Sequence, residues 1–286
     1  MTQGKTIGVF SPSSAILRDR FDIGANVLEQ HGYKLVIHPQ TYSGADTGNQ
    51  LAGTTEDKIK AYADLASDQS IDFIMAATGG NRACFLLPEL EKLPSHKPIM
   101  GFSDITALLA AHYKMGIKGW FGPTVQTFAR MDQHHIDLTF NLLSGNHPSI
   151  NFKNGETIKN GTVTAPIFAA TLSNLCALIG TPHFPDLTGH ILILEDIGDE
   201  LNRYDRMLWQ IFATMKPAGL VFGQFIDNKD TGRPYGESLN QIIKKHSQHI
   251  DTPIISNADI GHDGRIFPIP VGQNVTLNAT NRALIF

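Results

Sequence analysis

The chain has 286 residues, of which 42% are hydrophobic and 17% charged, against a usual charged share of about 25%. Such a composition belongs to a compact globular protein, excludes a disordered chain, and at about 150 residues per domain predicts two domains. The net charge of −4, from 23 basic and 27 acidic residues, gives no support for a nucleic-acid or anionic-membrane surface.

Two cysteines, Cys84 and Cys176, are too few for a disulfide framework and lack metal-ligand spacing. Both sit in apolar sequence and read as buried reduced thiols. The stretch Met1–Ser14 holds one lysine and a short apolar run, too short for a signal-peptide core. No apolar run approaches the roughly 18 residues of a membrane span. A soluble cytoplasmic protein is expected.

In chain order, Thr6–Phe10 reads as a strand, Arg20–His31 as a helix and Tyr33–His38 as a second strand stopped by Pro39. Thr54 followed by Thr55, Glu56 and Asp57 opens a helix, because the hydroxyl can cap and the acids suit the positive helix end. Asp72–Ala77 and Pro98–Phe102 are further strands, with helical Arg82–Leu90 between them and a helix over Asp104–Lys114. This alternation predicts an α/β fold: an N-terminal parallel-sheet, Rossmann-like domain over 1–145. The Gly- and Asn-rich run that follows reads as a linker over 146–164. A smaller mixed α/β C-terminal domain is expected over 165–286. There, helix-like Leu172–Ile179, strand Ile191–Leu194, helix Arg203–Met215 and strands near Leu220–Phe225, Ile254–Ile255 and Val275–Leu277 are expected.

Four places can carry chemistry. The strand Pro98–Phe102 runs through Gly101 and Ser103 directly into a helix. A serine at such a turn is lifted above the sheet edge, with helix N–H groups behind it for a developing oxyanion. Ile105 replaces the last glycine of the Gly-x-Ser-x-Gly pattern, and Ser103 or Asp104 also reads as a plain helix N-cap, the reading that spacing alone favours. Gly79-Gly80, also at a strand-to-helix junction, lets backbone approach a ligand closely; as a lone pair it reads first as a tight turn. Strand Ile191–Leu194 ends in Glu195 and Asp196. Beyond them Asp199, Glu200, Arg203, Asp205 and Arg206 read as a solvated, ion-paired face. Finally, His262 sits in a glycine-flanked loop, one of twelve histidines. His134, His135 and His246 lie in polar helical stretches and read as solvated, while His112 lies two turns down the helix after Ser103 and points away from it. No His, Cys or carboxylate set has zinc-site spacing.

Together these pieces resemble the LD-carboxypeptidase family of serine peptidases, which includes the microcin C immunity peptidases. The resemblance rests on Gly79-Gly80, Gly101-Phe102-Ser103-Asp104-Ile105-Thr106-Ala107-Leu108, Gly122-Pro123, Gly180-Thr181-Pro182 and Leu194-Glu195-Asp196. Asp205-Arg206-Met207-Leu208 and Gly261-His262, with Pro270 and Gly272 beyond, complete it. It spans nearly the whole chain in order. It implies a cofactor- and metal-independent carboxypeptidase with Ser103 as nucleophile, His262 as base and Glu195 orienting the imidazole. It also implies an oxyanion hole from the backbone N–H groups of Gly80 and Asp104, a site in the cleft between domains, and a homodimer. The implied substrate is a short cytoplasmic murein peptide, cut at the amide to a C-terminal D-Ala during peptidoglycan recycling. Arg82 is the candidate for recognising the terminal carboxylate.

The chain departs from the family at several points. Thr78-Gly79-Gly80-Asn81-Arg82 stands where Arg-Gly-Gly-Tyr-Gly is common, and Phe121 precedes Gly122-Pro123. Ala169-Ala170-Thr171 replaces a Gly-Gly-Asn run, and Asn202 replaces a tyrosine. Phe121 and Asn81 suggest the alternative of a peptidyl- or aminoacyl-nucleotide conjugate as substrate. The changed Ala169–Thr171 segment suggests a non-catalytic binding protein on the same scaffold.

Overall fold

A computed structural model describes residues 4–146 and 148–286. The chain divides into two compact units. The first runs up to Asn146 and adds Pro182–Pro185 and Phe267–Val271; the second holds the remainder up to Thr181, Asp186–Ile266 and Gly272–Phe286. Among the described residues no helix is long and apolar enough to cross a membrane.

The first unit is built on a six-stranded sheet. From one edge its strands are Ile269–Pro270, Gly119–Phe121, Ile99–Gly101, Phe73–Ala76, Thr6–Phe10 and Lys34–Ile37. All neighbours are parallel except the edge pair Ile269–Pro270 with Gly119–Phe121. The central strands Thr6–Phe10 and Phe73–Ala76 are wholly buried, as a parallel sheet covered on both faces requires. After Thr6–Phe10 the chain moves to the edge strand Lys34–Ile37 and then returns to the other side for Phe73–Ala76. That reversal is the switch point at which open α/β sheets bind ligands, at the carboxyl ends of the strands. Three loops leave the sheet there: Ser11–Ser14, Thr78–Asn81 and Phe102–Asp104. The expected helix after Thr54 spans Thr55–Ser67 and starts with a full capping box, Thr54 and Asp57 each bonding the other's backbone N–H.

The second unit carries an eight-stranded mixed sheet. Its parallel centre is Thr162–Thr171, Ile191–Ile197, Gly219–Ile226 and Ile254–Ser256, and antiparallel strands flank it on both sides. The stretch 146–164 is not a linker. Ser149–Asn151 and Glu156–Lys159 are edge strands of this sheet, and Thr162 opens its longest strand; His147 lies outside the described residues. The Asn and Gly residues there mark turns between short strands, while Ile150 and Phe152 are buried.

Three other expectations change. Cys84 is exposed, because its side of the short 3-10 turn Ala83–Leu86 faces solvent; Cys176 is buried, and burial pushes its thiol up to about 12. His135 is buried, with Nδ1 2.7 Å from the Asp132 carboxylate. His246 is largely enclosed, with Nε2 2.6 Å from Asp205.

His112 sits on helix Thr106–Lys114, whose residues Thr106 to His112 are all buried. Its Nε2 lies 3.0 Å from the Tyr62 hydroxyl, with the His96 ring 6.1 Å away. Burial, reinforced by His96, pushes its pKa down to about 3. The unfolded chain takes up this proton near pH 6.5, whereas the folded chain resists it until far lower pH. Between those values the unfolded state binds more protons, so stability falls as pH falls. Urea unfolding of wild type and His112→Gln from pH 7 to pH 4 should therefore converge. The wild type should lose up to about 1.4 kcal/mol per pH unit more than the variant below about pH 6; parallel stability curves would remove His112 from this role.

Candidate active site

The Ser103 turn begins at Gly101, where an added Cβ would sit 2.9 Å from both Cγ atoms of Ile105. Only glycine admits so close a return of the chain. Ser103 follows with φ +63°, a left-handed conformation that costs a non-glycine residue about 1–2 kcal/mol. Neither Ser103 nor Asp104 caps the helix: Phe102 occupies the cap position of the 3-10 turn Ser103–Ile105, Ile105 that of helix Thr106–Lys114, and neither makes a side-chain cap bond. The backbone strain at Ser103 therefore serves something other than helix initiation.

Gly79 packs directly against this serine, since an added Cβ would lie 3.0 Å from Ser103 Cβ and 3.3 Å from its Oγ. Gly80 has φ +125°, and a Cβ there would fall 2.0 Å from Ser14 Oγ. The Ser14 N–H donates to the Gly79 carbonyl at 3.2 Å, and the Asn81 N–H donates to Ser14 Oγ at 3.2 Å. The glycine turn is thus fastened to the first loop and laid against Ser103.

Asp104 ties the third loop into the same cluster. One carboxylate oxygen accepts from Ser13 Oγ and from the Ala83 N–H, both at 2.7 Å. Lys58, also buried, donates from Nζ to the Ser13 carbonyl at 2.6 Å. Burial raises the Asp104 pKa above the ordinary carboxylate value, opposed by its two hydrogen bonds and by Lys58; burial lowers that of Lys58, opposed by Asp104. Ser13 and Lys58 had no signal in the sequence: a lysine in the first turn of an exposed-looking helix reads as solvated, and only the tertiary fold buries it. Arg82 is exposed and left-handed, φ +79°, with its guanidinium 6.0 Å from the Phe85 ring centre. Phe121 is fully buried, edge-on to Phe102, so it offers no free aromatic face.

The second unit brings Glu195 and His262 together. Glu195 ends the buried part of strand Ile191–Ile197, and His262 follows strand Ile254–Ser256 at the same carboxyl edge of the parallel sheet. His262 Nδ1 lies 2.5 Å from Glu195 Oε2, with 6% and 0% of the two residues exposed. A carboxylate can only accept, so Nδ1 carries the hydrogen and Nε2 is the basic nitrogen. Strand Gly219–Ile226 shifts register between Phe222 and Phe225, and Gly223 lies in that irregularity. A Cβ on Gly223 would lie 2.4 Å from the Ile260 carbonyl and 3.1 Å from Glu195 Cβ. The missing side chain is what lets the histidine loop approach the acid. Backbone bonds from Gln224 to Ile260 at 2.8 Å and from Ala258 to Phe222 at 3.0 Å hold the loop down, and Arg265 braces it through Asp259 and Asp263.

The two adjacent acids divide cleanly. Strand alternation sends Asp196 to the opposite face from Glu195. There it accepts from the backbone N–H and hydroxyl of Ser173 at 2.7 and 3.2 Å, and from the Ile197 N–H at 2.8 Å. Burial pushes its pKa up to about 6. Beyond it, Arg203 pairs with Asp199 at 3.1 Å, as the charge pattern suggested.

Comparison with known proteins follows the same division of the chain. Residues 7–122 match the LD-carboxypeptidase N-terminal domain and residues 164–277 the LD-carboxypeptidase C-terminal domain. The murein tetrapeptide carboxypeptidase of Pseudomonas aeruginosa is 26% identical, over 95% of this chain and 92% of its own length. The microcin C7 self-immunity protein MccF of Escherichia coli is 24% identical, over 98% and 92%. The crystal structure of muramoyltetrapeptide carboxypeptidase from Oxalobacter formigenes superposes with a TM-score of 0.86, at 22% identity, over 98% of this chain and 97% of that one. With both halves matched in order over most of its length, the chain belongs to the LD-carboxypeptidase family and is a serine carboxypeptidase.

Proposed function

We propose that the protein hydrolyses the amide to a C-terminal D-amino acid in short murein peptides, using Ser103, His262 and Glu195 as a triad. The observation that supports this best is the buried Glu195–His262 bond, which holds an imidazole with its Nδ1 hydrogen committed to a carboxylate. In this scheme His262 Nε2 takes the Ser103 proton as Oγ attacks the carbonyl carbon. The same proton then passes to the leaving amine, and water repeats the sequence on the acyl-enzyme. Glu195 fixes the ring and stabilises its cationic form without itself taking the proton. The backbone N–H groups of Gly80 and Asp104 are the proposed oxyanion donors, and the exposed Arg82 guanidinium the proposed partner for the substrate's terminal carboxylate. The protein is proposed to be cytoplasmic, to act in peptidoglycan recycling and to work as a homodimer.

Incubation with a murein tetrapeptide should release D-Ala, and Ser103→Ala should lower kcat by at least about 10³-fold. Retained turnover in that variant would remove Ser103 as nucleophile. Faster hydrolysis of an aminoacyl-nucleotide conjugate than of the murein peptide would replace the substrate class, although buried Phe121 gives that alternative no stacking surface.

Gly79→Ala tests the packing against the nucleophile. The added methyl presses on Ser103 Cβ and Oγ, and displacement of a reacting group by a fraction of an ångström is expected to lower kcat about 10- to 100-fold. Steady-state kinetics showing wild-type kcat in a folded variant would contradict the proposed position of the serine hydroxyl.

A further inference from the structure

We infer that Thr171 is a positioning residue for the acid–base pair: its hydroxyl anchors the second oxygen of Glu195, so that the carboxylate presents a fixed edge to His262. This inference rests on the triad proposed above. Thr171 is the last residue of strand Thr162–Thr171 and the direct parallel partner of Glu195 in register. Partners in register project from the same face of a sheet, which brings the two side chains side by side. Thr171 Oγ1 donates to Glu195 Oε1 at 2.5 Å, while Oε2 faces His262 Nδ1 at the same distance. Thr171 is 1% exposed and Glu195 not at all.

The need for a second anchor follows from torsional freedom. The terminal torsion of a glutamate is broad and roughly two-fold, with no deep staggered wells. A carboxylate held by one hydrogen bond can swivel about it and carry the imidazole along. A short, charge-assisted bond to the other oxygen removes that freedom, and threonine suits the task because its β-branch restricts its own rotamers within a strand. The replacement of Gly-Gly-Asn by Ala169-Ala170-Thr171 therefore does not point to a lost triad: its last residue supports the acid directly.

Thr171→Val keeps volume, branching and strand preference but removes the donor, leaving a buried carboxylate oxygen without it. Thr171→Ser restores the donor and removes only the methyl. With a murein tetrapeptide, Thr171→Val should lower kcat about 10- to 100-fold, the scale of effect expected when a reacting group is displaced, with KM within about twofold; Thr171→Ser should recover most of the loss. A second readout needs no substrate. In ¹⁵N-histidine-labelled protein the His262 Nδ1–H resonance, identified by its loss in Glu195→Gln, should shift or broaden in Thr171→Val and stay in place in Thr171→Ser. If Thr171→Val does not fold, Thr171→Ala gives the same two measurements. Unchanged kcat and an unchanged resonance on loss of the hydroxyl would overturn the inference. If the wild type fails to cleave the murein peptide, the substrate proposal falls, and the resonance alone then decides the role of Thr171.

Discussion

A carboxylate with no exposure to water must find all its partners inside the protein, and Glu195 is such a group. An unpaired buried charge costs several kcal/mol, so the surroundings of Glu195 are built to supply hydrogen bonds on both oxygens. A parallel strand in register supplies Thr171. An irregularity in the next strand, with glycine at 223, admits the loop that supplies His262. The hydrogen bonds that satisfy the charge also orient the imidazole, so folding and the proposed acid–base pair share one solution. Asp196, one residue on, is the control: with the same burial but the opposite face, it ties down the start of helix Leu172–Cys176.

The first unit applies a comparable logic around Ser103. Asp104 and Lys58 are buried beside the Ser103 turn, joined through Ser13, and their hydrogen bonds help lace together the loops that leave the sheet at its switch point. A serine held at positive φ needs surroundings that over-determine its backbone. Gly79 and Gly101 give it room, and the Ser13–Asp104–Ala83 bonds give it support.

Much of this was legible in the residues. Continuous apolar runs such as Thr6–Phe10 and Ile191–Leu194 reveal buried parallel strands, and Thr54 with Asp57 announces its capping box. The residues proposed for the site stood out as strand-end punctuation, although on spacing alone Ser103 resembled a cap. Other features were hidden for identifiable reasons. Short edge strands such as Ser149–Asn151 contain too few residues for alternation to stand out against their Asn- and Gly-rich turns. The burial of Lys58 and His135, and the exposure of Cys84, depend on neighbours distant in sequence. The Thr171–Glu195 bond needs the sheet register, which no local pattern encodes.

The return of Phe267–Val271 to the first unit matters for how the protein is made. Ile269–Pro270 closes the sheet edge at Gly119–Phe121, yet most of the second unit's sequence lies between the two strands. During synthesis that edge stays open until those intervening residues have been made, and open edges template aggregation. The nascent first unit thus waits, one edge strand short, while most of the second unit is translated, and its open edge favours chaperone engagement in that interval.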